Sequence, residues 1–192
     1  MTEADAKALI EAAQKGDKTA FEALVVLYYD TIFKFAMKWC GDVNNAEDIA
    51  QNACMKLARS LDSYNFKAAF TSWLYRLVVN VAIDWQRSQA RHEGAELSDE
   101  AGHVGVSASR AEDEVYAQEV MAAVYALPEK EKTALLLVMG EGLSHREAAQ
   151  SMDCKESTVS WYIHEARKKL DAQFGNCLLY TSRAHETRRY LV

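Results

Sequence analysis

The residues best suited to do chemistry in this chain stand between Ser144 and Leu170. Ser144-His145-Arg146-Glu147 has the spacing of a capping box, in which a hydroxyl and a carboxylate three residues apart satisfy each other's backbone amides and open a helix. Ala148 and Ala149 keep that helix slim enough for another to pack closely against it. Asp153 comes next, one of the few residue types that bear the left-handed backbone a tight turn demands. Beyond it a helix is expected from about Glu156 to Leu170, ending in the cations Arg167, Lys168 and Lys169. Short helix, tight turn and longer basic helix form the pattern of a helix-turn-helix whose second member enters the DNA major groove. An ordinary helical hairpin with a solvated charged face has the same pattern, its basic trio complementing the helix dipole. The segment by itself leaves both open.

Net charge argues the other way at first sight, since the 192-residue chain carries −6. Its distribution reverses the argument. Residues 66–91 hold Lys67, Arg76, Arg87 and Arg91 against Asp84 alone, and residues 155–170 hold Lys155, Arg167, Lys168 and Lys169 against Glu156 and Glu165. The acids gather in the first fifty residues and in the middle. Two locally positive stretches suit contact with DNA, and an acidic one suits a basic protein partner.

Other chemistry is sparse. There is no HExxH, P-loop, GxSxG or glycine-rich nucleotide fingerprint, and five scattered histidines are a poor basis for catalysis, so no enzyme and no cofactor is expected. Cys40, Cys54, Cys154 and Cys177 form no CxxC pair, and no histidine stands at zinc-ligand spacing from them. They read as reduced thiols without a metal, Cys54 and Cys154 serving as small apolar residues.

The elements that must position these residues are helices. Apolar residues make up 49 %, enough for real cores, while one Pro and 8 Gly leave too little turn punctuation for a many-stranded β fold. No apolar run approaches the roughly 18–20 residues of a membrane span, and Met1-Thr2-Glu3-Ala4-Asp5 lacks the basic-then-apolar order of a signal peptide. A cytoplasmic protein that is not membrane-embedded is expected.

Helical periodicity predicts a first helix over about Glu3 to Gln14, then, after Gly16-Asp17, a capping box at Thr19 to Glu22 and a long helix to about Trp39. Gly41 should cap that helix at its end. Asn44 with Glu47 should start the next, with Ile49, Cys54, Leu57 and Leu61 facing inward. A polar and aromatic loop, Asp62 to Lys67, precedes a helix from about Ala69 to Arg91 whose apolar stripe includes Trp73, Leu77 and Val81. From His92 to about Arg110 the periodicity vanishes into Gly, Ser, Asp, Glu and Ala, the composition of a linker and hence of a domain boundary. Its length allows the two halves to sit on separated surfaces of one ligand. Helices from about Ala111 to Ala126 and from Glu129 to about Met139 lead into the tandem pair.

With these elements in place the sequence resembles the RNA polymerase sigma factors of the small, extracytoplasmic-function (ECF) type, over about residues 5–174. Asn45-Ala46-Glu47-Asp48-Ile49-Ala50-Gln51-Asn52 resembles the element that begins the core-binding helix of sigma region 2. Phe70-Thr71-Ser72-Trp73-Leu74-Tyr75-Arg76-Leu77, continuing through Asn80 to Asp84, resembles the later helix of that region. Leu127-Pro128-Glu129-Lys130, Leu143 to Ala149, and Thr158-Val159-Ser160-Trp161 through His164-Glu165-Ala166-Arg167-Lys168-Lys169-Leu170 resemble sigma region 4.

The resemblance implies an all-α fold of two small domains: region 2 over residues 1–92, a linker over 93–110 and region 4 over 111–176. It implies a factor that binds RNA polymerase core, recognises −35 and −10 promoter elements and assists melting, usually under the control of an anti-sigma factor, with no small-molecule substrate. Glu47, Asp48 and Gln51 would meet the basic coiled coil of the largest polymerase subunit, although both acids also complement their helix dipole. At the −10 element, Tyr64, Asn65, Phe66 and Lys67 would hold an extruded base, while Arg76, Asn80, Arg87 and Arg91 touch the opened strands. Trp73, in helical register with Leu77 and Val81, reads rather as core. At the −35 element, Lys155, Ser157, Thr158, Ser160, Trp161 and His164 would face base edges or phosphates, with Arg167, Lys168 and Lys169 on phosphates. Lys155 replaces the serine that commonly caps this helix, and Tyr162 stands where the family often has arginine.

A stand-alone helix-turn-helix regulator would account for residues 127–170 but leaves the elements around Asp48 and Trp73 unexplained. Residues 177–192 are expected to lie outside the fold, because Cys177-Leu178-Leu179-Tyr180-Thr181-Ser182 resembles the translation of a transposon-end sequencing adapter; a genuine basic tail is the alternative.

Overall fold

In the computed structural model, the residues described are 3–93 and 111–174, and every regular element among them is helical. Most of the expected linker, 94–110, and the tail from 177 onward lie outside the described residues. In chain order the helices are α1 (Glu3–Gln14), α2 (Lys18–Cys40), α3 (Val43–Ser60), a 3₁₀ turn (Leu61–Ser63), α4 (Phe70–Glu93), α5 (Ala111–Tyr125), α6 (Glu129–Leu135), α7 (His145–Met152) and α8 (Glu156–Phe174). Between α6 and α7 the chain widens into a π turn over Leu136–Gly140.

Two helix starts differ from those expected. At α2 the cap is Asp17, whose carboxylate accepts from the amides of Thr19 and Ala20, so Thr19 lies inside the helix. At α3 it is Asp42, accepting from Asn45, rather than Asn44. In both places a carboxylate two residues upstream caps the helix first, so the chain is already helical at the expected cap. The stop at Gly41 is as expected: its φ is 73° and its amide donates to the Met37 carbonyl.

The first half packs α2 across α1 and α3, with α4 against α3. Leu24, Ile32, Phe35 and Trp39 of α2 meet Ile49, Ala53 and Leu57 of α3 and Leu74 and Val78 of α4, all essentially sealed from solvent. Each such large aliphatic side chain contributes about 1.5–3 kcal/mol by leaving water. In the second half α8 lies across α6 and α7. The halves are not held apart: α4 packs directly on α7, and one continuous apolar core runs through both.

Candidate nucleic-acid interface

Ser144 accepts the Glu147 amide at 3.2 Å, and Glu147 accepts the Ser144 amide and hydroxyl at 2.8 and 2.6 Å. The expected capping box thus opens α7, and the Ser144 hydrogen bonds hold the Glu147 carboxyl below its ordinary range. Asp153 takes the left-handed conformation, φ 53° and ψ 48°, with its amide on the Ala149 carbonyl. That single residue turns the chain so that α8 crosses α7. Val159, Ile163, Ala166 and Leu170, at spacings of four, three and four, are buried beneath it.

The outer face of α8 therefore carries Ser157, Ser160, Trp161, His164, Arg167 and Lys168, all exposed, with Lys155 exposed just ahead of it. Trp161 meets the Tyr162 ring with centroids 5.2 Å apart yet stays 55 % exposed among the described residues, a large apolar surface on this face. His145 Nδ1 lies 2.8 Å from Ser160 Oγ and ties the first residue of α7 to the second turn of α8. Two of the expected contacts stand differently. Thr158 is half-buried, and Lys169 donates to both Glu131 oxygens, at 2.6 and 2.8 Å. Glu131 is buried on α6, so Lys169 neutralises an internal acid.

The loop after α3 is organised around Tyr64. Its ring is 7 % exposed and packs against Phe66, Phe70 and Trp73 with centroids 4.8–5.5 Å apart, while its hydroxyl donates to the Ala68 carbonyl at 2.7 Å. The side-chain amide of Gln14, a residue for which the sequence offered no signal, donates to the carbonyls of Leu61 and Tyr64. Tyr64 is the floor of this loop and offers no free stacking face. Asn65, Phe66 and Lys67 are exposed above it. Phe66 has φ 62°, rare for an aromatic residue and a mark of backbone strain held by its surroundings. Trp73 is half-buried in the same aromatic cluster.

Glu47, Asp48 and Gln51 are exposed on α3, and Met55, one turn further, is 51 % exposed beside them. On α4, Arg76, Asn80, Arg87 and Arg91 are exposed too, but two of these cations face the second half. Arg76 is 2.9 Å from Asp153 and Arg87 is 3.4 Å from Glu129. Asn80 lines a cavity of about 260 Å³ together with Arg76, Glu129, Ser151, Cys154 and Tyr162.

The halves are joined also by Glu141, which sequence reasoning did not single out. One carboxylate oxygen accepts Lys38 Nζ at 3.0 Å, and the other accepts the Tyr75 hydroxyl at 2.6 Å. Burial and the facing carboxylate push the Tyr75 hydroxyl well above the ordinary phenol range. Nothing in the Gly140-Glu141-Gly142 run distinguishes this acid from a turn residue in solvent. Among the described residues no helix is long and apolar enough to cross a membrane.

Comparison with known proteins gives a consistent answer. Residues 24–92 match the model of Sigma-70 region 2, and residues 117–170 match that of Sigma-70, region 4. The RNA polymerase sigma-H factor of Pseudomonas aeruginosa is 33 % identical over 183 residues, 89 % of this chain and 94 % of that protein. The ECF RNA polymerase sigma-E factor of Escherichia coli (strain K12) is 34 % identical over 176 residues, 85 % of this chain and 91 % of that protein. In fold, the chain is similar to CnrH in its complex with the cytosolic domain of CnrY, with TM-score 0.65, 22 % identity and coverage of 90 % and 99 % of the two chains. It is similar also to RpoE of Bartonella quintana in complex with the anti-sigma factor NepR, with TM-score 0.63, 22 % identity and coverage of 80 % and 96 %.

Proposed function

This chain belongs to the ECF sigma factors of RNA polymerase, and from that membership we propose how its exposed faces divide the work of initiation. As a sigma factor it binds polymerase core and directs transcription from promoters. The observation that carries the division is that the acidic strip of α3, the loop above Tyr64 and the outer face of α8 are all exposed, each on a segment matching region 2 or region 4.

Glu47, Asp48 and Gln51 face the basic coiled coil of the largest polymerase subunit, with Met55 adding an apolar contact at the same strip. Asn65, Phe66 and Lys67 receive an extruded −10 base, Phe66 supplying the stacking face. Tyr64 supports them from below. Arg76, Asn80, Arg87 and Arg91 run along the backbone of the opened strands. At the −35 element, α8 lies in the major groove with Ser157, Ser160, Trp161 and His164 toward the bases, and Lys155, Arg167 and Lys168 on phosphates. Thr158 and Lys169 act mainly by fixing α8 on its own domain. No side chain makes or breaks a bond, because strand opening draws on binding free energy and the polymerase performs the synthesis.

The protein works in the cytoplasm, where its polymerase is, and its natural inhibitor is an anti-sigma factor, as suggested by the complex of RpoE with the anti-sigma factor NepR. The decisive experiment adds the purified chain to core polymerase and selects initiating promoters from random DNA. Enrichment of a paired −35 and −10 sequence is the expected result. DNA binding without initiation would overturn the reading in favour of an operator-binding regulator.

A further inference from the structure

Helix α1 precedes the residues that match region 2, which begin at 24, yet it reaches the −10 loop. It packs on α2 and on the 3₁₀ turn Leu61–Ser63, burying Ile10. Gln14, its last residue, donates from one side-chain amide to two carbonyls, that of Leu61 at 2.9 Å and that of Tyr64 at 2.8 Å. An amide nitrogen carries two hydrogens, and this pair of acceptors uses both. The Leu61 carbonyl also accepts the Tyr64 amide at 3.0 Å, so both acceptors lie on the single bend that delivers the chain to Tyr64. Lys7 stands about two turns earlier on the same side of α1. Its ammonium is 5.7 Å from the centroid of the Phe66 ring. One helix thus touches the loop at its entry and at its exposed aromatic residue.

We propose that α1 is part of the −10 site: Gln14 is the positioning residue that fixes the loop in its base-receiving form, and Lys7 adds a phosphate contact beside Phe66. The inference rests on the reading that Asn65, Phe66 and Lys67 receive an extruded base. Phe66 holds φ 62°, a conformation that an aromatic residue keeps only where its surroundings over-determine it. On one side that constraint comes from the Tyr64 ring, packed on Phe70 and Trp73, and from its hydroxyl on the Ala68 carbonyl. On the other side it comes from Gln14, which ties the backbone two residues ahead of Phe66. Asn65 Oδ1 accepts the Lys67 amide at 3.2 Å, a local turn in solvent that water can replace. Removing the Gln14 donor therefore leaves the backbone entering Phe66 free to relax out of the left-handed region. A stacking face that must first be ordered binds its base more weakly than one already held in place. Lys7 acts differently. Its side chain is 62 % exposed and its ion pair with Glu11, at 3.8 Å, is a weak surface pair, so the ammonium is available to the phosphate of a nucleotide stacked on Phe66.

The test uses the full chain bound to polymerase core, as wild type, Gln14→Met, Gln14→Glu, Lys7→Gln and Phe66→Ala. The probes are a labelled single strand carrying the −10 sequence that promoter selection returns, and the same strand made abasic at each position in turn. For the wild type, loss of one particular base should weaken binding by about tenfold, and Phe66→Ala should reduce that dependence to within about twofold. Both Gln14 variants, of which neither can donate to the two carbonyls at neutral pH, should bind the intact strand about fivefold more weakly and that abasic strand as the wild type does. Lys7→Gln should weaken both strands equally, by about threefold, and lower the salt slope by about 0.7 unit. Binding of a −35 duplex by the same proteins should stay within about twofold, because α8 is untouched. Equal weakening of intact and abasic strands by the Gln14 variants, or no weakening of either, would overturn the positioning role while the base-receiving loop stands. Loss of −35 binding in both Gln14 variants would overturn it too, by making Gln14 a support of the whole fold. An unchanged salt slope for Lys7→Gln would remove its phosphate contact. A wild type indifferent to every abasic position would overturn the base-receiving loop itself, and the role of α1 with it.

Discussion

The ammonium of Lys132 lies 4.2 Å from the centroid of the Trp39 ring, and both residues are buried, at 3 % and 1 % exposure. One belongs to the segment matching region 4 and the other to the segment matching region 2. The seam between the modules thus encloses a cation on an aromatic face, an arrangement that offsets part of the cost of taking a charge out of water.

Burial pushes the Lys132 amine down to about 8, with Cys40 and Glu129 opposing the change. Below that value the amine is protonated in the folded and the unfolded chain alike, and the full burial cost is present. Between about 8 and its ordinary 10.5 the unfolded chain holds a proton that the folded chain does not, so this group's contribution to stability rises with pH. Denaturant titrations of wild type and Lys132→Met should show the difference between them moving in favour of wild type from about pH 7 to about pH 10. A constant difference, or movement in the opposite direction, contradicts the buried charge.

Gly41 serves two purposes. Its left-handed φ ends α2, and a Cβ added there would stand 2.7 Å from two ring carbons and the hydroxyl oxygen of Tyr125. Gly41→Ala should destabilise the chain by about 2 kcal/mol, from the backbone and the clash together. In a double-mutant cycle with Tyr125→Ala, the two changes should couple by about 1 kcal/mol, because the smaller side chain removes the clash and leaves the backbone cost. Simple additivity in thermal unfolding would show that α5 does not approach this turn.

Lys168 and Lys169 are neighbours with different work. Lys168→Ala should lower the salt slope of promoter binding by about one unit and leave the unfolding midpoint nearly unchanged. Lys169→Ala leaves the buried Glu131 carboxylate without its cation, so it should cost about 1–3 kcal/mol of stability and alter the slope less. Affinity measured over a salt series, paired with denaturant unfolding, checks both. Equal slopes for the two variants would mean that Lys169 leaves Glu131 for DNA.

Asp48→Arg reverses a charge in the exposed strip of α3. It should weaken binding to polymerase core by about tenfold or more in a competition assay, with stability within about 0.5 kcal/mol of wild type. Undiminished competition would assign Asp48 to the helix dipole alone.

Trp161→Ala removes the large exposed apolar side chain of α8. Affinity for a −35 duplex should fall by about tenfold, again with stability changed by less than about 0.5 kcal/mol. A large loss of stability would make Trp161 a packing residue, against its exposure.

Local signals in the sequence were enough for the helices, their order and which of the expected contact residues lie exposed. The Ser144 box, the Asp153 turn and the Gly41 stop each depend on backbone chemistry within four residues, so spacing alone revealed them. The outer face of α8 was equally legible, because Val159, Ile163, Ala166 and Leu170 fix the inner face by periodicity. Where two capping residues stood two apart, at Asp17 with Thr19 and at Asp42 with Asn44, short-range pattern chose the wrong one, since the winner depends on geometry rather than residue type.

Contacts between residues far apart in sequence were decided by the tertiary structure alone. Tyr64 reads as an exposed aromatic until Gln14, fifty residues away, is seen bonded to its carbonyl and Trp73 packed on its ring. Lys169 reads as a phosphate contact until Glu131 is found beneath it, and Glu141 reads as a surface acid until α2 and α4 converge on it. Periodicity encodes which face of a helix turns inward; it carries no record of which other element that face meets. The pairing of charges across elements is therefore settled only when the apolar faces have packed.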